Sequence, residues 1–190
     1  MKLDGVLPFA RNLLEKAVGE GGAAVDATMG NGHDTLFLAK LVGSNGHVFA
    51  FDVQAGALDA TRKRLEEHDA EKQATLLLAG HEQAASLIPK NLHGKINGAI
   101  FNLGYLPGSD KSVITKPGTT ISAVQQLLEM LAPKGIIVLV VYHGHEGGAD
   151  ERDSLLEYVR GIDQKSAHVL QYQFINQLNN PPFIIAIEKR

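Results

Sequence analysis

The sequence predicts an α/β fold in which a seven-stranded, mostly parallel sheet lies between helices on both faces. Three observations carry this. Short apolar runs alternate with amphipathic stretches along nearly the whole chain, the pattern of successive βαβ units. The run 136–141 is an unbroken series of Ile, Val and Leu, as suits a central strand buried on both faces. The last two apolar runs are joined through Asn179-Asn180-Pro181-Pro182, a turn-rich link too short for a crossover helix, so these two strands are expected to be antiparallel.

Taken in order, strands are expected at 23–27, 47–51, 74–78, 98–101, 136–142, 167–174 and 183–187. Helical patterns fall at 8–18, 35–42, 55–67, 82–88, 120–131 and 150–160. Pro8 is tolerated in a first helical turn, where its missing N–H leaves no bond unmade, and Pro133 with Gly135 stops a helix before the central strand. No repeat, linker or low-complexity tract interrupts the alternation, so residues 1–190 read as one domain.

Composition narrows the class. With 44% hydrophobic and 21% charged residues the chain is neither disordered nor an integral membrane protein. Lys2, Asp4, Arg11, Glu15 and Lys16 break up the N-terminal segment, which therefore lacks a signal-peptide core; a cytoplasmic location without membrane partners is expected. The absence of cysteine removes thiolate nucleophiles, disulfides and cysteine zinc sites. A net charge of −3 without a dense Lys/Arg block argues against broad, sequence-independent binding to nucleic acid and leaves room for a small, shape-specific RNA contact.

The first chemically suggestive segment is Asp26-Ala-Thr-Met-Gly-Asn-Gly-His-Asp-Thr, between the first strand and the next helix. Gly30 and Gly32 allow close approach of a ligand to the backbone, and the following helix offers unpaired amides. Asp52 closes the second strand, where an acid can accept two ribose hydroxyl protons. A dinucleotide competes for such a site, but the third glycine of its fingerprint would fall on Thr35. Asp26 would also repel a pyrophosphate, whereas the ammonium and sulfonium of S-adenosylmethionine favour a negative neighbour. The expected cofactor contacts are Asp26, Thr28, Gly30, Asn31, Gly32, His33, Asp34, Thr35, Asp52, Gln54, His81 and Asn102. Strand-end solvation is the plain alternative for Asp26 and Asp52, and helix capping that for His33, Asp34 and His81.

A second segment, Asn102-Leu-Gly-Tyr-Leu-Pro-Gly, follows the fourth strand, at the carboxyl edge that forms the ligand crevice of an open α/β sheet. Asn102 supplies an amide oxygen that can orient an amine lone pair, and Tyr105 an aromatic face for a planar base. Leu106, Pro107, Gly108, Lys111 and Lys116 would border the substrate. Tyr142-His-Gly-His follows the fifth strand at the same edge, placing His143 for proton handling and His145 beside the substrate. No companion ligand pattern completes a metal site, and none is expected.

The acid-x-x-x-Gly-x-Gly pattern resembles motif I of class I, Rossmann-like methyltransferases, with Thr28 in place of the usual first glycine. That resemblance implies the strand order 3-2-1-4-5-7-6. The Asn102 loop is similar to the Asn/Asp-Pro-Pro-Tyr/Phe motif of amino-group methyltransferases, with Leu103-Gly104 replacing the prolines. Together with Val140-Val-Tyr-His-Gly-His and Phe174-Ile-Asn-Gln with Asn180-Pro-Pro-Phe, these segments resemble the small bacterial proteins long labelled putative rRNA methylases and associated with tRNA 5-aminomethyl-2-thiouridine methylation. The resemblance implies S-adenosylmethionine-dependent methylation of an aminomethyl nitrogen on a wobble uridine, with the tRNA anticodon region as partner and a homodimer as the assembly. A small-molecule N- or O-methyltransferase and a non-catalytic cofactor- or RNA-binding module stay open.

Overall fold

Side chains alternate across each strand, and that alternation splits the apolar residues into two layers on opposite faces of one sheet. The computed structural model describes residues 2–104, 115–144 and 147–190. Its strands are β1 (Ala23–Asp26), β2 (His47–Asp52), β3 (Ala74–Leu78), β4 (Ile96–Leu103), β5 (Leu131–Val141), β6 (Ala167–Tyr172) and β7 (Phe183–Lys189). They are ordered β3-β2-β1-β4-β5-β7-β6, as expected. The first five are mutually parallel, while β7 runs antiparallel to both β5 and β6. The carboxyl ends of β1 to β5 therefore share one edge, which carries Asp26, Asp52, Asn102 and Tyr142.

On one face, α1 (Val6–Ala17), α2 (His33–Val42) and α3 (Ala55–Glu66) bring Leu14, Leu38 and Leu65 against Ala24, Val48, Ile100, Val138 and Val140. On the other, α4 (Ala84–Leu87), α5 (Pro117–Met130) and α6 (Gly148–Arg160) bring Ala84, Leu127 and Leu155 against Val25, Phe101, Leu139 and Ile185. Phe51, Phe101, Phe183, Leu14 and Leu38 are fully buried, each contributing on the order of 1.5 to 3 kcal/mol of transfer free energy.

The element boundaries differ from expectation in ways that matter for the site. α2 begins at His33 rather than at residue 35, so His33 and Asp34 lie inside its first turn. Segment 82–88 is not one helix but a 3-10 turn, His81–Gln83, followed by the short α4. β5 begins at Leu131: Ile96 pairs with Leu131 and Gly98 with Ile136, and the intervening Pro133 and Gly135 form an excursion with Lys134 at φ 66°. The helix ends at Met130, one residue before the expected end, and the residues beyond it rejoin the sheet earlier than the apolar run suggests. β4 extends past 98–101 at both ends, bringing Asn102 into the ladder opposite Val140.

Gly98 sits on β4 where α1 crosses the sheet. A Cβ there would stand 2.6 Å from Val18 Cγ2 and 3.1 Å from Leu14 Cδ2. Gly98→Ala is therefore expected to overpack the α1 contact and lower stability by about 1 to 3 kcal/mol in chemical denaturation. An unchanged midpoint would show that α1 yields to the added methyl.

Candidate functional site

The turn after β1 is bonded to the strands on both sides. On the β2 side, Asp52 Oδ2 accepts the Gly30 N–H at 3.0 Å and Oδ1 that of Gln54 at 2.9 Å. On the β4 side, Thr28 Oγ1 accepts the Asn102 N–H at 2.7 Å. Thr28, the departure from the glycine pattern, thus satisfies an amide at the end of β4 that a glycine would leave unmet. Gly30 and Gly32 adopt φ of 50° and 76°, the left-handed region. At Gly32 a Cβ would also lie 2.9 Å from Thr61 Cα, so position 32 requires glycine for both turn and packing.

Asp26 is fully buried. Its Oδ2 accepts the Thr35 hydroxyl at 2.6 Å and Oδ1 the Thr28 N–H at 3.2 Å. Burial, then the charge of Asp34, push its pKa up from 3.8 to about 7 against the lowering effect of those two bonds. Asp26 thus stiffens the turn from below, with Thr35 as its partner.

Asp34 behaves otherwise. Neither it nor His33 caps α2 through its side chain. Asp34 Oδ2 accepts the Asn102 Nδ2–H at 2.8 Å, and Oδ1 accepts from Arg11 at 3.2 Å. Arg11, on α1, lies with its guanidinium carbon 5.2 Å from the centre of the Phe37 ring. His33 is exposed, 3.3 Å from Arg64 of α3, which also donates to the Asn31 carbonyl at 2.7 Å. Asn31 and His33 are accordingly tied to α3 at the rim of the turn.

His81 is buried at the start of its 3-10 turn, edge-on to Phe101. Its Nδ1 lies 3.0 Å from the Ala27 carbonyl, which can only accept, so the ring proton sits on Nδ1 and Nε2 carries a lone pair. Nε2 is buried without a partner among the described residues. Burial lowers the pKa of the ring and keeps it neutral.

The two residues after β5 diverge. Asn102 pairs with Val140, which belongs to the α1/α2 layer, and Tyr142 follows two positions on; burial and the Asp34 charge push its phenol up. His143 instead packs on Phe183, with Nδ1 3.4 Å from Arg152 of α6. The structure thus brings Asn102, Asp34, Arg11 and Tyr142 to one side, and sets His143 on the other. Lys116 is exposed at the start of α5. Tyr105, Leu106, Pro107, Gly108, Lys111 and His145 lie outside the described residues.

Four residues that the sequence reading assigned no role belong to this edge. Arg11 pairs with Asp34, and Tyr142 lies within range of its charge. Glu151, buried on α6, accepts the hydroxyls of Thr115 at 2.7 Å and Thr120 at 2.8 Å, and Thr115 Oγ1 in turn accepts the Gly104 N–H at 3.0 Å. Arg11, Thr115 and Glu151 belong to no local motif; Tyr142 had a signal in its parity with Asn102 and Val140. Among the described residues no group of three His, Asp or Glu could hold a metal ion.

The donor set fits S-adenosylmethionine. Each Asp52 oxygen has capacity for a further hydroxyl proton beyond its backbone bond, and the first-turn amides of α2 suit a carboxylate. The unpartnered His81 Nε2 can accept an amino N–H.

The raised pKa of Asp26 has a sign. Between about 4 and about 7 the folded chain keeps a proton that the unfolded chain releases, so this group's contribution falls as pH rises through that window and stays low above it. Asp26→Asn is expected to remove the fall. Relative to the parent it should gain stability at pH 8, by up to an order of 4 kcal/mol, and gain none below pH 4. Parallel denaturation curves for the two proteins across pH would contradict the assignment.

Comparison with known proteins gives the family. The family described as putative rRNA methylase matches residues 48–188. A structure described as a putative rRNA-methylase from Clostridium thermocellum superposes with a TM-score of 0.96 at 40% identity, covering 100% of both chains. A putative methyltransferase from Streptococcus mutans, in complex with SAH, superposes with a TM-score of 0.90 at 40% identity, covering 99% of each chain. Among curated proteins, the chloroplastic tRNA (mnm(5)s(2)U34)-methyltransferase of Arabidopsis thaliana is 33% identical over 183 residues, 92% of this chain and 66% of that protein's length.

Proposed function

The chain belongs to the putative rRNA methylase family, and from that premise we propose that it is an S-adenosylmethionine-dependent methyltransferase acting on the aminomethyl group of 5-aminomethyl-(2-thio)uridine at the tRNA wobble position. The observation that carries the proposal is the Asn102 amide. Its Nδ2 is engaged by Asp34, so its oxygen is the end available to a substrate, beside the turn that holds the cofactor. An amide oxygen there accepts from an amine N–H and leaves the nitrogen lone pair directed elsewhere, which is what an amine acceptor needs. The SAH-bound relative supports the cofactor, and the chloroplastic relative supports the class of RNA.

S-adenosylmethionine supplies an electrophilic methyl group. In this reading Asp52 holds the ribose, the α2 amides and the turn hold the methionine end, and His81 borders the adenine. With S-adenosylmethionine bound, an amine held through its N–H by Asn102 Oδ1 would have its lone pair free to take the methyl group, with the S–C bonding pair left on sulfur and the ammonium proton lost to solvent. Tyr105 and the segment through Lys116 would meet the uracil and the anticodon backbone. No helix among the described residues is long and apolar enough to cross a membrane.

Asp52→Ala is expected to weaken S-adenosylmethionine binding by on the order of 1.5 to 3 kcal/mol, the range for hydrogen bonds to a charged group. Calorimetry checks it, and an unaltered dissociation constant would remove Asp52 from the ribose site. For the substrate, the test is mass spectrometry of tRNA nucleosides from cells lacking the protein. Aminomethyl uridine should accumulate at the expense of its N-methylated form. Unchanged tRNA, together with methylation of a metabolite pool by the purified protein, would favour the small-molecule enzyme instead.

A further inference from the structure

We infer that Asp34 is a positioning residue that fixes which end of the Asn102 amide faces the substrate, and so sets the site to accept nucleophiles that carry an N–H. The inference rests on the amine-methyltransferase reading above and deepens it. An aspartate in the first turn of a helix is ordinarily explained by the helix dipole. That explanation does not account for where this carboxylate goes. Both of its oxygens are used away from the α2 amides, one on Arg11 of α1 and the other on Asn102 of β4. Its side chain is only 14% exposed, and Arg11 is itself held over Phe37.

A carboxamide has two ends of nearly equal shape and opposite hydrogen-bonding character. Rotation by half a turn about its last bond exchanges donor for acceptor at little steric cost. A carboxylate partner breaks that symmetry, because it can only accept: the NH2 end must face Asp34, and Oδ1 must face away. The Asn102 backbone is pinned independently through Thr28, so the side chain turns on a fixed base. Arg11 completes the arrangement by donating to Oδ1 of Asp34, which leaves Oδ2 to Asn102. The fixed element is thus a chain of three residues from three separate elements, ending in a single acceptor at the sheet edge.

Reversing the polarity of the pair tests this. In Asp34→Asn, Arg11 holds the new amide by its oxygen and turns its NH2 toward Asn102, which must then flip and present donors to the substrate. The kcat for aminomethyl-bearing tRNA should fall at least tenfold, with the dissociation constant for S-adenosylmethionine within threefold of the parent. Asn102→Asp alone sets two carboxylates against each other and should also lose activity. The double variant Asp34→Asn with Asn102→Asp restores one donor and one acceptor between them and leaves a carboxylate oxygen for the amine. It should recover at least tenfold over either single variant, and the fall in kcat at unchanged cofactor affinity in Asp34→Asn is the readout that a merely structural role would not give. A Kd raised tenfold in Asp34→Asn with kcat retained would assign Asp34 to the cofactor and overturn the inference, as would a double variant no better than the singles. A substrate-free readout separates this from the functional reading. In labelled parent protein the Asn102 side-chain amide protons should show a hydrogen-bonded NMR signal that Asp34→Asn shifts, whatever the acceptor is. An unshifted signal overturns the positioning role; a shifted signal in a protein inactive on aminomethyl tRNA overturns the acceptor assignment alone.

Discussion

The site depends on the tie between the turn after β1 and its two neighbouring strands. A glycine turn at positive φ is costly in chain entropy and has no side chains of its own to anchor it. Here Asp52 holds it from β2 and Thr28 reaches across to β4, while Asp26 and Thr35 close it beneath. Every polar group proposed to meet the cofactor or the acceptor amine is placed relative to this clamp. The parallel sheet supplies the geometry: only when β1, β2 and β4 run the same way do their carboxyl ends lie close enough to share hydrogen bonds.

The sheet order follows from pattern because it rests on strong, repeated signals. The Ile136 to Val141 run, the punctuation at Pro133 and the short Asn-Pro link before Phe183 each reflect a steric or hydrogen-bonding constraint that operates locally. Boundaries were less legible where tertiary contacts override local preference. Leu131 joins the sheet because Ile96 pairs with it, and Asn102 stays in the ladder because Val140 does the same. Neither bond can be foreseen from the residues near it.

Legibility of the site divides along the same line. Asp26 and the glycines stand close to one another in a motif, Asp52 closes the next strand at the same edge, and the chemistry of that pattern points to them. Arg11 reaches the site from a different helix, and Glu151 is brought to Thr115 and Thr120 by the packing of α6 on α5. Their pairing depends on the folded arrangement and not on spacing. The histidines after β5 illustrate a different limit. Its place after the fifth strand, at the shared carboxyl edge, suggested His143, yet adjacent residues leaving a strand face opposite sides, and it is Tyr142 that shares the side of Asn102. Alternation, applied from Val140 onward, would have separated them.

The most direct test of the account is methyl transfer from tritiated S-adenosylmethionine to two anticodon stem-loops that differ in one group, an aminomethyl or a hydroxymethyl substituent on the wobble uridine. A site ending in an amide acceptor, with no base placed to ionise an alcohol among the described residues, should label the amine stem-loop, at a rate that rises with pH through the neutral range as the amine loses its proton. The hydroxymethyl stem-loop should remain unlabelled. Equal labelling of both would locate the methyl on the ring or ribose and contradict the account.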